Sequence, residues 1–302
     1  MEEPKINPYA VLAIGVLSVS ASAIFVKLST ALSGVIAFYR LFFSVLFMLP
    51  IFLTKHVSEL RLITKKDWLF SAIAGILLAF HFILWFESLN YTSVASSTVL
   101  VTLQPLFAFV GTYFFFKEKL SSKAILSGII AVAGSIIISW GDFQISGTAL
   151  YGDIIALLAC IPVTAYLLFG QNVRKRVSLI TYTFIVYFMS TITLFIYCLA
   201  AGEPLFPYSS SNWTYFILLA LFPNLLGHTL FNWSIKWLST STISMAILFE
   251  PVGATILAFF LLSENVVWTQ ILGGVVVIGG ILLFVMDERK MKLKGEMKST
   301  TE

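Results

Sequence analysis

Residues 88–138 read SLNYTSVASSTVLVTLQPLFAFVGTYFFFKEKLSSKAILSGIIAVAGSIII, and residues 234–284 read SIKWLSTSTISMAILFEPVGATILAFFLLSENVVWTQILGGVVVIGGILLF. Laid over each other at a shift of 146, without a gap, they share Pro105/Pro251, Glu118/Glu264, Gly128/Gly274 and Gly134/Gly280. Ser88/Ser234, Ser93/Ser239, Ala108/Ala254, Phe114/Phe260, Ile125/Ile271 and Leu126/Leu272 also coincide. In each copy a proline sits inside an apolar run, an acid follows its end, and a glycine-rich apolar segment comes next. Self-similarity at a fixed distance points to a duplicated unit.

The composition says what kind of unit it is. Of 302 residues 59% are hydrophobic and 11% are charged, with mean hydropathy +0.95. A soluble domain carries about 25% charged residues, so this chain reads as a polytopic membrane protein. Cys160 and Cys198 lie in apolar runs and read as buried thiols, not as a disulfide framework. The net charge of +4 is a topology signal here and not a nucleic-acid footprint. Ala21-Ser22-Ala23 looks like a cleavage site, but Met1–Lys5 is hardly basic and the apolar run from Pro8 exceeds a signal-peptide core. The first apolar run is therefore expected to be a membrane span.

Ten apolar segments of about 20 residues are each long enough to cross a bilayer as a helix. They fall near 8–28, 33–53, 67–89, 93–116, 123–140, 149–170, 179–200, 212–235, 239–262 and 267–286. This predicts an all-α membrane protein with one five-helix repeat at 8–140, a second at 149–286, and a basic tail at 287–302. The breaks are too short for a soluble domain, and no phosphate-binding G-x-x-x-x-G-K-[ST] run is present. Lys and Arg orient the chain. With both termini in the cytoplasm, Lys55, Arg61, Lys65, Lys66, Lys117, Lys119, Lys123, Arg174, Lys175 and Arg176 all lie inside, together with the tail. Asp142, Glu203 and Glu264 then lie outside, and Lys27 is the main exception. Five spans per half is an odd number, so the second copy starts from the opposite side. That is the inverted-repeat construction of secondary transporters, in which two similar halves exchange conformations around a central site.

The Pro105 and Pro251 spans, Glu118 and Glu264 at their ends, the Leu126-Ser127-Gly128 and Leu272-Gly273-Gly274 runs, and Phe38-Tyr39-Arg40 in the second span carry a family resemblance. From about Tyr9 to Met286 the chain resembles the EamA-type transporters of the drug/metabolite transporter superfamily. The resemblance implies a ten-span carrier, often an exporter of amino acids or other metabolites. It implies a central cavity lined by the third, fourth, eighth and ninth spans, with the first and sixth.

Several residues are candidates for that cavity. Gln104 precedes Pro105, and Glu250 precedes Pro251, each near mid-span. Proline removes a donor and frees a carbonyl four residues back, which membranes tolerate only where backbone faces protein or water. A charged carboxylate at mid-membrane costs about 2.5–3.5 kcal/mol on insertion scales, so Glu250 needs a partner, a proton or water. Asn224, His228 and Asn232 recur every four residues on one helical face, beside Pro223 and Gly227. They read either as interhelical glue or as cavity lining. His81 stands one residue off the repeat mate of His228 and shares a face with Trp85 and Ser88. A histidine there would either pack or shuttle protons. Trp85 and Trp233 read as cavity walls or interfacial anchors, and Glu87 as an entrance charge or a partner for Lys27. Arg40 either ties helices together or attracts a substrate carboxylate. The small stripe Gly15, Ser18, Ser22 and Ser29 reads as packing, Ser127/Gly134 and Gly273/Gly280 as a scaffold contact, and Glu118 and Glu264 as caps or partners of local bases.

No carboxylate occurs in the first span, which counts against cation-drug efflux built on an acid there. No metalloprotease or G-x-S-x-G motif occurs, so no enzyme activity, metal or cofactor is expected. The reading is a plasma-membrane secondary carrier exporting a small metabolite such as an amino acid. Its substrate-binding candidates are His81, Trp85, Gln104, Asn224, His228, Asn232 and Glu250. Glu250, His81, His228 and Arg40 are the candidates for coupling or gating, with protons as a further partner. The alternative is a multidrug carrier of the same fold.

Overall fold

The computed structural model describes residues 4–138, 140, 147–263 and 266–299, and among these every regular element is helical. Asp142 and Glu264 lie outside the described residues. Nine helices are long and apolar enough to cross a membrane, and one shorter apolar helix completes the series. In chain order they are α1 (Pro8–Leu28), α2 (Ser33–Lys55), α3 (Lys65–Ser88), α4 (Val94–Phe116), α5 (Ser122–Ile138), α6 (Gly147–Val173), α7 (Leu179–Ala201), α8 (Ser210–Ser234), α9 (Thr240–Leu261) and α10 (Trp268–Glu288). The number and order are those expected. The last helix runs on to Ser299, so the described part of the tail continues α10.

The duplication is visible in the backbone. Helix α4 divides into Val94–Val101 and Gln104–Phe116, and α9 into Thr240–Ile247 and Glu250–Leu262. Every bound is offset by the same 146 residues as the sequence repeat. Pro105 and Pro251 each stand in the first turn of a second half, where a missing N–H and a fixed φ are tolerated. Ser93 and Ser239 cap the two first halves, accepting from Ser96 N at 3.0 Å and Thr242 N at 3.2 Å. The two second halves end on Lys117 and Ser263, at φ 58° and 56°.

The packing follows the same exchange. Helix α1 packs on α8 as α6 packs on α3, while α2 packs on α7, α4 on α9 and α5 on α10. Swapping the two halves leaves this set of pairs unchanged. Within the α4–α9 pair, each first half lies against the partner's second half. Five crossings start α6 from the face opposite to that of α1, which makes the repeats inverted. The α5–α10 seam brings backbone to backbone. A Cβ built on Gly134 would stand 2.7 Å from Val277 N, and one on Gly273 would stand 2.6 Å from Gly134 O. No side chain fits at either position without parting the helices.

Two carboxylates tie α2 to α7, one at each end. Glu59, in the 3-10 turn Val57–Arg61 after α2, accepts Ser178 N at 2.8 Å and the hydroxyls of Ser178 and Thr181 at the start of α7. Glu203, just after α7, accepts Val35 N at 3.1 Å at the start of α2. Each acid thus sits at the positive end of the other helix. Their environments differ. Burial pushes both carboxyls up. At Glu59 the hydrogen bonds from Ser178 and Thr181 outweigh it and hold the group below its ordinary value, whereas at Glu203 burial prevails and the group is raised.

Two outcomes are expected. Gly134→Val should lower thermal stability by about 1–3 kcal/mol, the range for overpacking, in a melting assay on the purified protein. Gly279→Ala, where an added Cβ meets nothing within 4 Å, should not. Because the Glu59 pKa is depressed in the folded chain, its contribution is present above the ordinary glutamate pKa of about 4.3 and lost as pH falls below it. Melting temperature should therefore drop on acidification, and Glu59→Gln should make that dependence shallower.

Candidate functional site

The breaks in α4 and α9 fall beside a small interior cavity of about 20 Å³, room for about one water molecule. Ser22, Arg40, Trp85, Gln104, Tyr166, His228 and Glu250 supply its polar lining, from α1, α2, α3, α4, α6, α8 and α9 in turn. None of these side chains is more than 7% exposed. Apolar walls come from Val19, Val163, Leu167, Phe231 and Ile247.

The helix breaks place its ends. Gln104 and Glu250 open the second halves of α4 and α9, so the same position of the two copies carries a neutral amide in one and a carboxylate in the other. Arg40 approaches from α2, with no exposed surface. Its Nη1 donates to Ser22 Oγ at 2.7 Å and its Nε to Asn224 Oδ1 at 3.2 Å. Its guanidinium carbon lies 4.1 Å from the Phe82 ring centre, in reach of a cation–π contact. No acid among the described residues forms an ion pair with it.

Four buried polar atoms of this lining have no hydrogen-bond partner among the described residues: Arg40 Nη2, Trp85 Nε1, Gln104 Oε1 and His228 Nδ1. An unsatisfied buried group costs about 1–3 kcal/mol, and buried polar atoms are otherwise almost always paired. Orphaned donors and an orphaned acceptor around one cavity, with the Glu250 carboxyl beside them, make a space that a polar guest would complete.

The remaining candidates stand behind this lining. His81 does not line the cavity. Its Nδ1 meets Ala159 O at 3.0 Å, which joins α3 to α6, and its ring lies 5.7 Å from that of Trp85. Asn224 positions Arg40 and donates to Ser44 Oγ at 2.9 Å. Asn232 accepts from Tyr166 and donates to Thr183 Oγ1 at 3.4 Å. The α8 stripe is thus buried in protein, but its three members do not share one environment. The cause is a π-helical stretch at Ala220–His228 around Pro223, which re-aims side chains relative to a regular helix. Trp233 is outside the cavity, its ring tilted by 53° to that of Trp237 at 6.2 Å between centres. Pro105 is buried and does not line this cavity, but borders a groove on the other side of α4 from its neighbour Gln104.

Ser22 and Tyr166 are cavity residues that spacing alone misses. Ser22 belongs to a stripe that reads as packing, and nothing in the sequence around Tyr166 marks it. At the helix ends, Lys27 donates to Leu89 O and Glu87 accepts from Asn90 at 3.2 Å. Glu118 accepts from Gln171 at 2.6 Å, and Gln171 in turn accepts Thr240 N at 2.8 Å at the start of α9. Burial pushes the Glu118 carboxyl up.

Comparison with known proteins agrees with this architecture. The EamA-like transporter family matches residues 7–140 and again 150–286. An uncharacterized transporter of Clostridium kluyveri is 26% identical over 245 residues, covering 79% of this chain and 78% of its own. The uncharacterized transporter YdfC of Bacillus subtilis is 24% identical over 238 residues, covering 78% of this chain and 77% of its own. A solved crystal structure superposes with a TM-score of 0.75 over 94% of this chain and 98% of that one; at 17% identity the likeness is one of fold. Ten helices in two inverted copies, each copy matched separately, place the chain in the EamA-like transporter family, whose members are multi-pass membrane carriers of small molecules and not enzymes.

Proposed function

We propose that this cavity, which has room for about one water in the structure, widens to bind a zwitterionic metabolite of the amino-acid class and that the protein exports it by alternating access. The observation that carries this reading is that Arg40 and Glu250 line one cavity without pairing with each other. A substrate carboxylate would satisfy Arg40 Nη2, with Trp85 Nε1 as a second donor. Its ammonium group would sit between the Glu250 carboxyl and Gln104 Oε1. The walls from Val163, Leu167, Phe231 and Ile247 suit an apolar side chain. His81, Asn224 and Asn232 serve as positioning residues for Trp85, Arg40 and Tyr166.

A buried carboxylate without a partner is costly, so Glu250 would exchange a substrate ammonium for a proton, which makes it the coupling candidate. The crossed halves of α4 and α9 are the elements that would rock, because their breaks are the weak points of both spans. Export is the direction that the family resemblance implies. A multidrug carrier for lipophilic cations is the second reading. The aromatic walls and Glu250 favour it, and the positive charge of Arg40 opposes it.

Uptake of radiolabelled amino acids into inverted vesicles, with and without a pH gradient, tests the proposal. Arg40→Met should weaken substrate binding by roughly 30-fold or more, since truncating one partner of a buried charged pair costs about 2–5 kcal/mol. Glu250→Gln should abolish gradient-driven transport while leaving the protein folded. Absence of uptake across a broad amino-acid panel, with competition by unrelated lipophilic cations instead, would remove the amino-acid reading in favour of the multidrug one.

A further inference from the structure

A second, larger concavity lies on the outside of the bundle. It runs between the second half of α4 and helix α5, with a volume of about 620 Å³. Its walls are Leu106, Val110 and Phe114 on one side and Ile125, Ile129 and Val132 on the other. Gly128 forms the floor, where an added Cβ would stand 2.7 Å from the Phe109 ring. The groove is apolar along its length and carries charge at one end only, at Glu118 and Lys119. Pro105 closes the other end.

We propose that this groove holds one acyl chain of an anionic phospholipid, with the lipid phosphate on Lys119 flanked by Lys117 and Lys123. Three observations support that occupant. The first is length. From Pro105 to Phe114 is about 13 Å at 1.5 Å per residue, close to the depth of one leaflet, about half of a 30 Å hydrocarbon core. The second is charge. Lys117, Lys119 and Lys123 are all exposed, and among the described residues none of them forms an ion pair. The neighbouring acid, Glu118, shares this end of the groove and is engaged by Gln171, from which it accepts at 2.6 Å. Basic residues clustered at the end of a span are the recognised attractor for anionic headgroups.

The third observation is the repeat itself. The copy keeps the acid and the proline, but Ser263, Asn265 and Thr269 stand where the first half has Lys117, Lys119 and Lys123. The anion site therefore exists in one half only, and so in one leaflet only. Its position also links it to the interior. Pro105 lines the groove while Gln104, the residue before it, lines the central cavity. A chain seated in the groove therefore bears on the break that carries Gln104.

Native mass spectrometry of the purified full-length protein, loaded with phosphatidylglycerol or with phosphatidylcholine of the same acyl chains, tests the proposal. The wild type should retain one phosphatidylglycerol in preference to phosphatidylcholine. The triple variant K117Q/K119Q/K123Q should lose that preference by roughly fivefold per lysine, with phosphatidylcholine retention unchanged. Val110→Trp, on the exposed wall, should reduce retention of both lipids. If the triple variant does not fold, Lys119→Gln alone gives the same reading. Equal retention of the two lipids by the wild type, or a preference that survives the lysine changes, would overturn the proposal. Efficient cross-linking between copies through Val110→Cys in phosphatidylglycerol bilayers would also overturn it, because a second chain would then occupy the groove.

Discussion

A helix that crosses a bilayer must satisfy its own backbone, and Pro105 and Pro251 prevent α4 and α9 from doing so. Both helices stop and restart at mid-span. The restarted halves begin with Gln104 and Glu250, whose polar side chains cannot face acyl chains at that depth without cost. They are turned inward, and a cavity forms where they meet. The other polar residues of the interior are arranged around that point. Arg40 comes in from α2 and His228 from the distorted part of α8, with Trp85 and Phe231 as equivalent walls from the two copies.

The backbone is nearly symmetric and the chemistry is not. Positions that correspond across the repeat carry Gln104 and Glu250, Arg40 and Val186, and Phe82 and His228. One copy therefore contributes the positive charge and the other the acid and the imidazole. Phe82 and His228 lie edge to face at 5.4 Å between ring centres, so the equivalent positions meet near the centre of the molecule. Symmetry supplies two similar frames, and asymmetry gives the cavity a basic group from one copy and an acid from the other. The glycine-lined α5–α10 seam lies apart from this cavity, and its close backbone contact suits a fixed scaffold.

The two carboxylate ties between α2 and α7 show the same division. Glu59 and Glu203 perform one structural task at opposite ends of the bundle, yet Glu59 is held by several donors and Glu203 is dominated by burial. Acid therefore weakens the first tie by protonating a group that folding prefers ionised. At the second it relieves a group that folding prefers neutral. The two ties therefore respond to pH with opposite sign.

Hydropathy and the 146-residue period were enough to reveal ten helices, their order, the inversion and the two proline breaks. These properties depend on local composition and on parity, and no distant contact can change them. The identity of the groups that meet is different in kind. Gln104, Glu250, Trp85, His228 and Arg40 come together, whereas His81 is taken by the Ala159 carbonyl, and Asn224 and Asn232 by Arg40, Ser44, Tyr166 and Thr183. A four-residue spacing assumes a regular helix, and the π-helical stretch in α8 breaks that assumption. Ser22 and Tyr166 enter the lining because helix rotation and neighbouring contacts bring them there. Helical register sets which residues lie on one face. Packing between helices far apart in the chain sets which of those faces a cavity, a carbonyl or a lipid.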